Sequence, residues 1–302
     1  MAPIVVDTDV GSDVDDALAI ALAIRHPEID LRAVTTVSSQ PEVRAGLAAR
    51  LLAIGGADDV EVAVGRSVPG DERNVIGAEH LDLLGGDDGS PPRPDAVAVL
   101  GAVTPGTRIV TIGQQTNVAA AVAAVPSLPG TIARLTVMGG AFAAVHTADG
   151  RVHGPERDWN LVLDPAGAVA SLSSEWRRRF VPIDITFGAA LTRAHVDRLR
   201  RGDELCRVLA ALVEGWRSRT LGAGGASAPD DLAAFLHDPL AVACAVECAF
   251  VRVERMPVTV VLDGRGHART VVDELEGRDA EVVRALDASG FADWLVDTLL
   301  SS

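Results

Sequence analysis

Lysine and tyrosine are missing from all 302 residues: the 27 basic side chains are all Arg, and the aromatics are six Phe and four Trp. Chemistry that runs through a lysine amine, such as Schiff-base formation, is therefore excluded, as is any tyrosine acid or base. Cysteine is scarce. Cys206, Cys244 and Cys248 are too few for a disulfide framework. Cys244 and Cys248 stand four apart on an expected helix and share one face. They read as small buried side chains, because no further soft ligand accompanies them. Long apolar runs are absent as well. The cleanest one near the start, 17–24, is far short of the roughly 20 residues that a membrane span needs. No basic segment leads into an apolar stretch as in an export signal, so a cytoplasmic location is the expectation. Positive charge is in deficit: 42 acidic residues against 27 basic ones leave a net charge of −15. That balance opposes binding to nucleic-acid phosphates and to anionic membranes.

What is present is ample core material, with 48% hydrophobic residues. β-Branched runs alternate with Ala/Leu-rich helical stretches. Strands are expected at 4–6, 31–37, 60–64, 108–112 and 135–138, and helices at 13–25, 42–54 and 117–125. Further helices are expected at 194–201, 204–217 and 239–246. A β pair at 251–255 and 258–262 follows, and then two more helical stretches. The pattern predicts an α/β protein: one domain over 1–302, an open and mostly parallel Rossmann-like sheet with flanking helices. Such sheets bind ligands beyond the carboxyl ends of their strands, here just after Val6, Val37, Ile112 and Met138. Two Gly-rich stretches, 71–94 and 219–231, are expected as active-site loops.

The most informative segment follows the first strand. Asp7, Asp9, Asp13, Asp15 and Asp16 put five carboxylates into ten residues at a strand-to-helix turn. A helix N-terminus favours some negative charge, but five like charges beside a buried strand repel. A divalent cation removes the repulsion, and oxygen-only ligands select a hard ion, Ca²⁺ or Mg²⁺. The EF-hand spacing does not fit, because Gly11 and Leu18 fall where ligands are needed. Strand-Asp-x-Asp resembles, loosely, the opening of haloacid-dehalogenase-type phosphatases, with Mg²⁺ and Asp7 as nucleophile. The lysine such enzymes use to hold phosphate is lacking here.

A fuller resemblance is to the nucleoside hydrolase family, inosine-uridine preferring type. Asp7-Thr8-Asp9-Val10-Gly11 and then Asp15-Asp16-Ala17 are similar to its opening Asp-x-Asp-Pro-Gly-x-Asp-Asp-Ala. Val10 replaces Pro and the spacer is two residues longer, so Asp13 competes with Asp15 for the first Asp of the pair. Asp15-Asp16 is chosen because Ala17-Leu18 follows. Thr36-Val37-Ser38-Ser39-Gln40 resembles Thr-Val-x-Gly-Asn. Gly113-Gln114-Gln115-Thr116-Asn117, Met138-Gly139-Gly140, Asp158-Trp159-Asn160 with Asp164-Pro165, and His237-Asp238-Pro239-Leu240-Ala241 match later family motifs in order.

The resemblance implies Ca²⁺-dependent hydrolysis of the N-glycosidic bond of a ribonucleoside, through an oxocarbenium-like sugar. The implied metal ligands are Asp9, Asp16, the carbonyl of Ile112 and Asp238. Asp9 doubles as general base, and His237 is the candidate acid for the leaving base. Substrate binding is assigned to Asp15, Gln40, Met138, Glu156, Asp158, Asn160 and His80, with His153 and Trp216 as weaker candidates. Trp159 takes the family's Phe position and is expected in the core. Family members are homodimers or homotetramers, and that assembly is expected here. A non-catalytic member that binds nucleoside or sugar is the remaining alternative. The departures, Gln40 for Asn and Asp158 for Glu, fall on the sugar-recognition side, which points to altered substrate choice.

Overall fold

The computed structural model describes residues 1–85, 93–146, 152–154, 158–220 and 231–301. β1 (Ala2–Thr8) is buried from Ile4 onward. Its side chains alternate between two cores, Ile4 and Val6 on one face and Val5 on the other, as the two-residue period of a strand requires. α1 (Asp15–Arg25) is buried from Asp15 through Ala23, so it lies inside the fold instead of on its surface. β2 (Ile29–Thr36), α2 (Pro41–Ile54) and β3 (Glu61–Ala63) complete the first parallel units. α3 (Ala78–Leu84) and α4 (Ala96–Gly101) precede β4 (Arg108–Thr111), and α5 (Thr116–Ala124) and α6 (Leu128–Thr131) lead to β5 (Arg134–Met138).

A short ribbon, β6 (Val145–His146) with β7 (Val152–His153), is followed by α7 (Trp159–Leu163), α8 (Pro165–Leu172), β8 (Arg178–Val181) and α9 (Ile183–Thr186). β9 (Ala190–Thr192) and β10 (Leu232–Phe235) pair antiparallel around α10 (Arg193–Leu199) and α11 (Glu204–Thr220). α12 (His237–Ala245) then packs on α1. β11 (Val251–Leu262), β12 (Ala268–Val272), β13 (Arg278–Leu286) and α13 (Ala288–Leu300) close the chain.

The main sheet has nine strands in the order β3-β2-β1-β4-β5-β8-β13-β11-β12. From β3 to β13 neighbouring strands run parallel, and β11 runs antiparallel to β13 and β12. The order turns at β1, with β2 on one side and β4 on the other. The carboxyl ends of β1, β2 and β4 therefore frame the crevice where this architecture holds ligands. α1, α2 and α10–α13 contribute to the core on one face of the sheet, and α4, α5 and α8 to the core on the other.

This is the expected α/β class with a mostly parallel sheet. The C-terminal region differs from its expectation. The pair expected at 251–255 and 258–262 is one continuous strand running through Pro257, and where two helical stretches were expected to follow, the chain forms β12 and β13 and then one helix, α13. Residues 278–286 carry Ala, Glu, Arg and Leu, good helix formers, but pairing with β11 and β8 overrides that preference. The 71–94 stretch is no bare loop, since it contains a 3₁₀ turn at Asp71–Arg73 and all of α3.

Gly65, just after β3, sits where no larger residue fits. A Cβ there would lie 1.9 Å from the Thr36 carbonyl oxygen and 2.3 Å from Asn117 Nδ2. Gly65→Ala should destabilise the protein by about 1–3 kcal/mol, the usual cost of overpacking. Urea unfolding checks this, and an unchanged midpoint would contradict the close approach.

Candidate active site

The acidic run divides into a structural and a site-facing part as soon as β1 ends. Asp7 has no solvent-exposed surface. Its Oδ1 accepts hydrogen bonds from Thr35 Oγ1 at 2.5 Å and Asn117 Nδ2 at 2.8 Å, which ties β1 to β2 and to the start of α5. Burial pushes its pKa up to about 7. A carboxyl so enclosed cannot attack a phosphoryl group, which removes the phosphatase reading built on Asp7.

Beyond Asp7 the chain turns toward the crevice. Thr8 Oγ1 donates to Asp16 Oδ1 at 2.5 Å and accepts from the Val10 N–H at 3.1 Å. Gly11, at φ +113°, makes the turn, and a Cβ there would press on Leu47 at 2.7 Å. The first turn of α1 then presents Asp15 and Asp16. From the far end of the chain, the first turn of α12 presents Asp238.

Asp15, Asp16 and Asp238 are all buried, and one carboxylate oxygen from each lies within 4.8 Å of the others. The Asp238 N–H points at Asp15 Oδ2 at 3.4 Å. Asp9 is buried beside this trio, and its Oδ2 accepts from Asn74 Nδ2 at 2.5 Å. Burial raises the pKa of all four carboxyls, and their mutual repulsion adds to it, most plainly for Asp15, Asp16 and Asp238. Four such groups cannot all ionise without a nearby positive charge. A cluster of buried oxygens with no cationic side chain within the trio suits a hard divalent ion.

Asp13 stays apart from the trio and accepts from Trp216 Nε1 at 2.5 Å, so Asp15 is the residue that joins Asp16 and Asp238. Across the crevice, Asn160 Nδ2 donates to the carbonyls of Ile112 at 3.1 Å and Met138 at 3.2 Å. These contacts bring the ends of β4 and β5 together with α7. His237 has Nδ1 at 2.7 Å from Thr186 Oγ1, and its ring packs against Phe187 and Phe235. Burial lowers its pKa to about 4, so the ring is neutral at pH 7.

His80 is fully buried with both ring nitrogens unpartnered, 3.6 Å from Glu79, and burial lowers its pKa to about 4 as well. α3 is held there by Arg219 of α11, which donates to Glu79 and to the Ser12 carbonyl.

Three expected sugar ligands stand differently. Asp158 caps α7: Oδ1 accepts from the Leu161 N–H and Oδ2 from the Gly140 N–H, so backbone donors occupy both oxygens. One methylene shorter than Glu, it reaches the backbone of its own turn. Gln40 precedes α2 in the left-handed region, with an exposed side chain. Glu156 lies outside the described residues, as do the side chain of His153 and residues 221–230 of the second loop. Trp159, expected in the core, is 45% exposed, and the Arg73 guanidinium stacks over its ring at 5.3 Å.

Other motif residues build the frame. Asp164 caps α8 through the Gly167 N–H and accepts from Thr116 Oγ1, and Asn117 donates to the Thr36 carbonyl and to Asp7. Sequence reasoning missed Asn74 and Arg44. Asn74 supplies the amide beside Asp9, but it lies in a stretch read as loop and carried no motif. Arg44 is wholly buried beneath the acidic turn, although nothing in the pattern of α2 distinguishes it from a surface arginine.

Comparison with known proteins agrees along the full length. The family model described as inosine-uridine preferring nucleoside hydrolase matches residues 4–293. The chain is 31% identical over 322 residues to the pyrimidine-specific ribonucleoside hydrolase RihA of Salmonella newport, covering 98% of each. It is 30% identical over 315 residues to the non-specific ribonucleoside hydrolase RihC of Salmonella schwarzengrund, covering 97% of this chain and 96% of that one. Among solved structures it superposes on a plant nucleoside hydrolase, PpNRh1, with a TM-score of 0.79 at 24% identity, covering 100% of this chain and 99% of that one. A purine-preferring ribonucleoside hydrolase from Gardnerella vaginalis gives 0.76 at 22% identity, covering 98% of each.

The raised carboxyl pKa values set a pH dependence. Asp158, pushed up by burial to about 6, and Asp7, at about 7, keep their protons in the folded protein after the unfolded chain has released them. Their contribution is complete below about pH 4 and is lost as pH rises toward 7. His80 and His237, held neutral down to about pH 4, act in the opposite direction over the same window. In excess chelator, Asp158→Asn should therefore shift the difference in thermal midpoint between pH 5 and pH 7.5 toward a relatively lower midpoint at pH 5 than the wild type shows, and an unchanged difference would contradict the assignment.

Proposed function

The chain belongs to the inosine-uridine preferring nucleoside hydrolase family, and on that footing we propose that it hydrolyses the N-glycosidic bond of a ribonucleoside to free base and ribose, with Ca²⁺ as its metal. The observation that carries the reading is the buried trio of Asp15, Asp16 and Asp238 at the turn of the strand order. Asp16 and Asp238 would hold the ion, together with Asp9 and the Ile112 carbonyl. A hard dication bound there supplies a polarised water and an anchor for vicinal sugar hydroxyls.

The chain's own groups do the rest. Asp9, whose carboxylate is oriented by Asn74, takes the proton of the attacking water. Asp15 accepts a hydrogen bond from a ribose hydroxyl, while Asn160 and the Met138 segment line the sugar. The crowded carboxylates favour the positive charge that develops on the sugar ring as the bond to the base breaks.

His237 faces the leaving base. In the tautomer whose Nδ1 accepts from the Thr186 hydroxyl, the neutral ring would carry its proton on Nε2 and offer it as a hydrogen-bond donor. His80, buried in α3 where that helix packs on α11, has Nδ1 3.6 Å from Glu79 and leaves Nε2 to a substrate. None of the described helices is long and apolar enough to cross a membrane. Assembly as a homodimer or homotetramer belongs to the same proposal.

Inosine, uridine and p-nitrophenyl phosphate offered in parallel test the reading. Ribose should be released from nucleoside in the presence of Ca²⁺, release should stop with chelator, and no phosphate should appear. Asp9→Asn should lower kcat by roughly 10²–10⁴, the usual contribution of general-base catalysis. Nucleoside binding with no ribose release by the Ca²⁺-loaded wild type would favour a non-catalytic binding protein.

A further inference from the structure

Arg44 heads the largest fully buried side chains of the protein, and its guanidinium lies directly under the acidic turn. Nε donates to the Ser39 carbonyl at 2.7 Å. Nη1 donates to the carbonyls of Asp9 and Val10 and to Ser12 Oγ. Nη2 donates to the Asn74 carbonyl at 2.6 Å. One planar group thus joins three segments distant in sequence, 9–12, 38–40 and 74, and every one of these acceptors is neutral.

One of those segments needs holding. Ser38 at φ 81° and Gln40 at φ 56° are non-glycine residues in the left-handed region, where side chains are rarely found. Arg44 bonds the carbonyl between them. Ser39 Oγ also donates to the Asn74 carbonyl, and Ser38 Oγ accepts from Asn74 Nδ2, which donates as well to Asp9 Oδ2. The strained turn, the Asn74 segment and the Asp9 carboxylate therefore form one network with Arg44 at its hub.

We propose that Arg44 is a positioning residue for the metal site: its fork holds Asn74 and the strained 38–40 turn against Asp9, so that the carboxylate is aimed before any ion arrives. The proposal rests on the metal reading given above. It depends on the shape of the guanidinium as well as on its charge. A lysine keeps the charge but offers no rigid fork, so it cannot bridge three segments at once.

Arg44→Lys and Asn74→Ala test this, with Ca²⁺ titrated into chelator-stripped protein by calorimetry and amide hydrogen exchange followed on the metal-free protein. Both variants should bind Ca²⁺ about 10–100-fold more weakly than wild type, the range seen when groups behind a metal ligand are removed. In Arg44→Lys the amides of 38–40 and 74–77 should exchange faster without metal, while the strands keep their protection. Asn74→Ala removes the amide's bonds to Asp9 and to Ser38 Oγ but keeps Arg44 and the carbonyls of Ser39 and Asn74 that it holds, so weaker binding there with smaller loss of protection at 38–40 than in Arg44→Lys fits the same order of action. A role in stability alone would lower the melting temperature and leave the Ca²⁺ dissociation constant within about twofold, which would overturn the proposal. If the wild type takes up no Ca²⁺, the metal reading fails, and unchanged exchange at 38–40 and 74–77 in Arg44→Lys would then separately refute the role of Arg44.

Discussion

Repulsion among buried carboxylates governs this molecule. Asp9, Asp15, Asp16 and Asp238 are packed into one crevice and withdrawn from water. Each then costs more to ionise than it would on a surface, and each raises the cost for the others. The surrounding structure answers that load in graded ways. Thr8 and Asn74 donate hydrogen bonds to individual carboxylates. Arg44 brings a full positive charge close to Asp9 and Asp16 without pairing off their oxygens. In the proposed reaction, the remaining imbalance is what would draw a divalent ion and a sugar that becomes cationic to the crevice.

The fold serves this concentration of charge by topology. A parallel sheet whose strand order reverses at β1 sets the carboxyl ends of its neighbouring strands apart there, and the residues that follow β1, β2, β4 and β5 lie around that point. α1 is apolar around its circumference beyond the first turn, so it can lie inside the protein and carry two aspartates at its N-terminus to the cleft floor. Negative charge at that end is also favoured by the helix dipole. Asp238, in the first turn of α12, exploits the same geometry from the opposite direction.

The sequence reveals what local spacing dictates. β-Branched runs and Ala/Leu periodicity disclose the parallel units, and five carboxylates packed behind a buried strand disclose the site. Features that depend on distant partners stay hidden. Of the two helical stretches expected to close the chain, one is missing: 278–286 has a composition that favours helix, yet its neighbours in the sheet make it extended. Asn74 and Arg44 look like any polar residue of a loop and a helix until three separate turns are seen to meet around them. Motif residues pose the converse difficulty. Asn117, Asp164 and Asp158 stand at motif positions, yet in this structure they tie turns and cap helices. A matching letter identifies a position in the fold before it identifies a contact with substrate.

The acidic trio draws two members from the first turn of α1 and the third from α12, more than two hundred residues later. α1 also packs on α12, so the helix that bears the early pair is completed by late sequence. A ribosome has to release most of the polypeptide before these carboxyls can meet. During synthesis the nascent amino-terminal part covers α1 with β2 and α2 on one side only, and a chain interrupted before α12 would lack the third carboxylate and leave the rest of an apolar helix prone to stick to its neighbours.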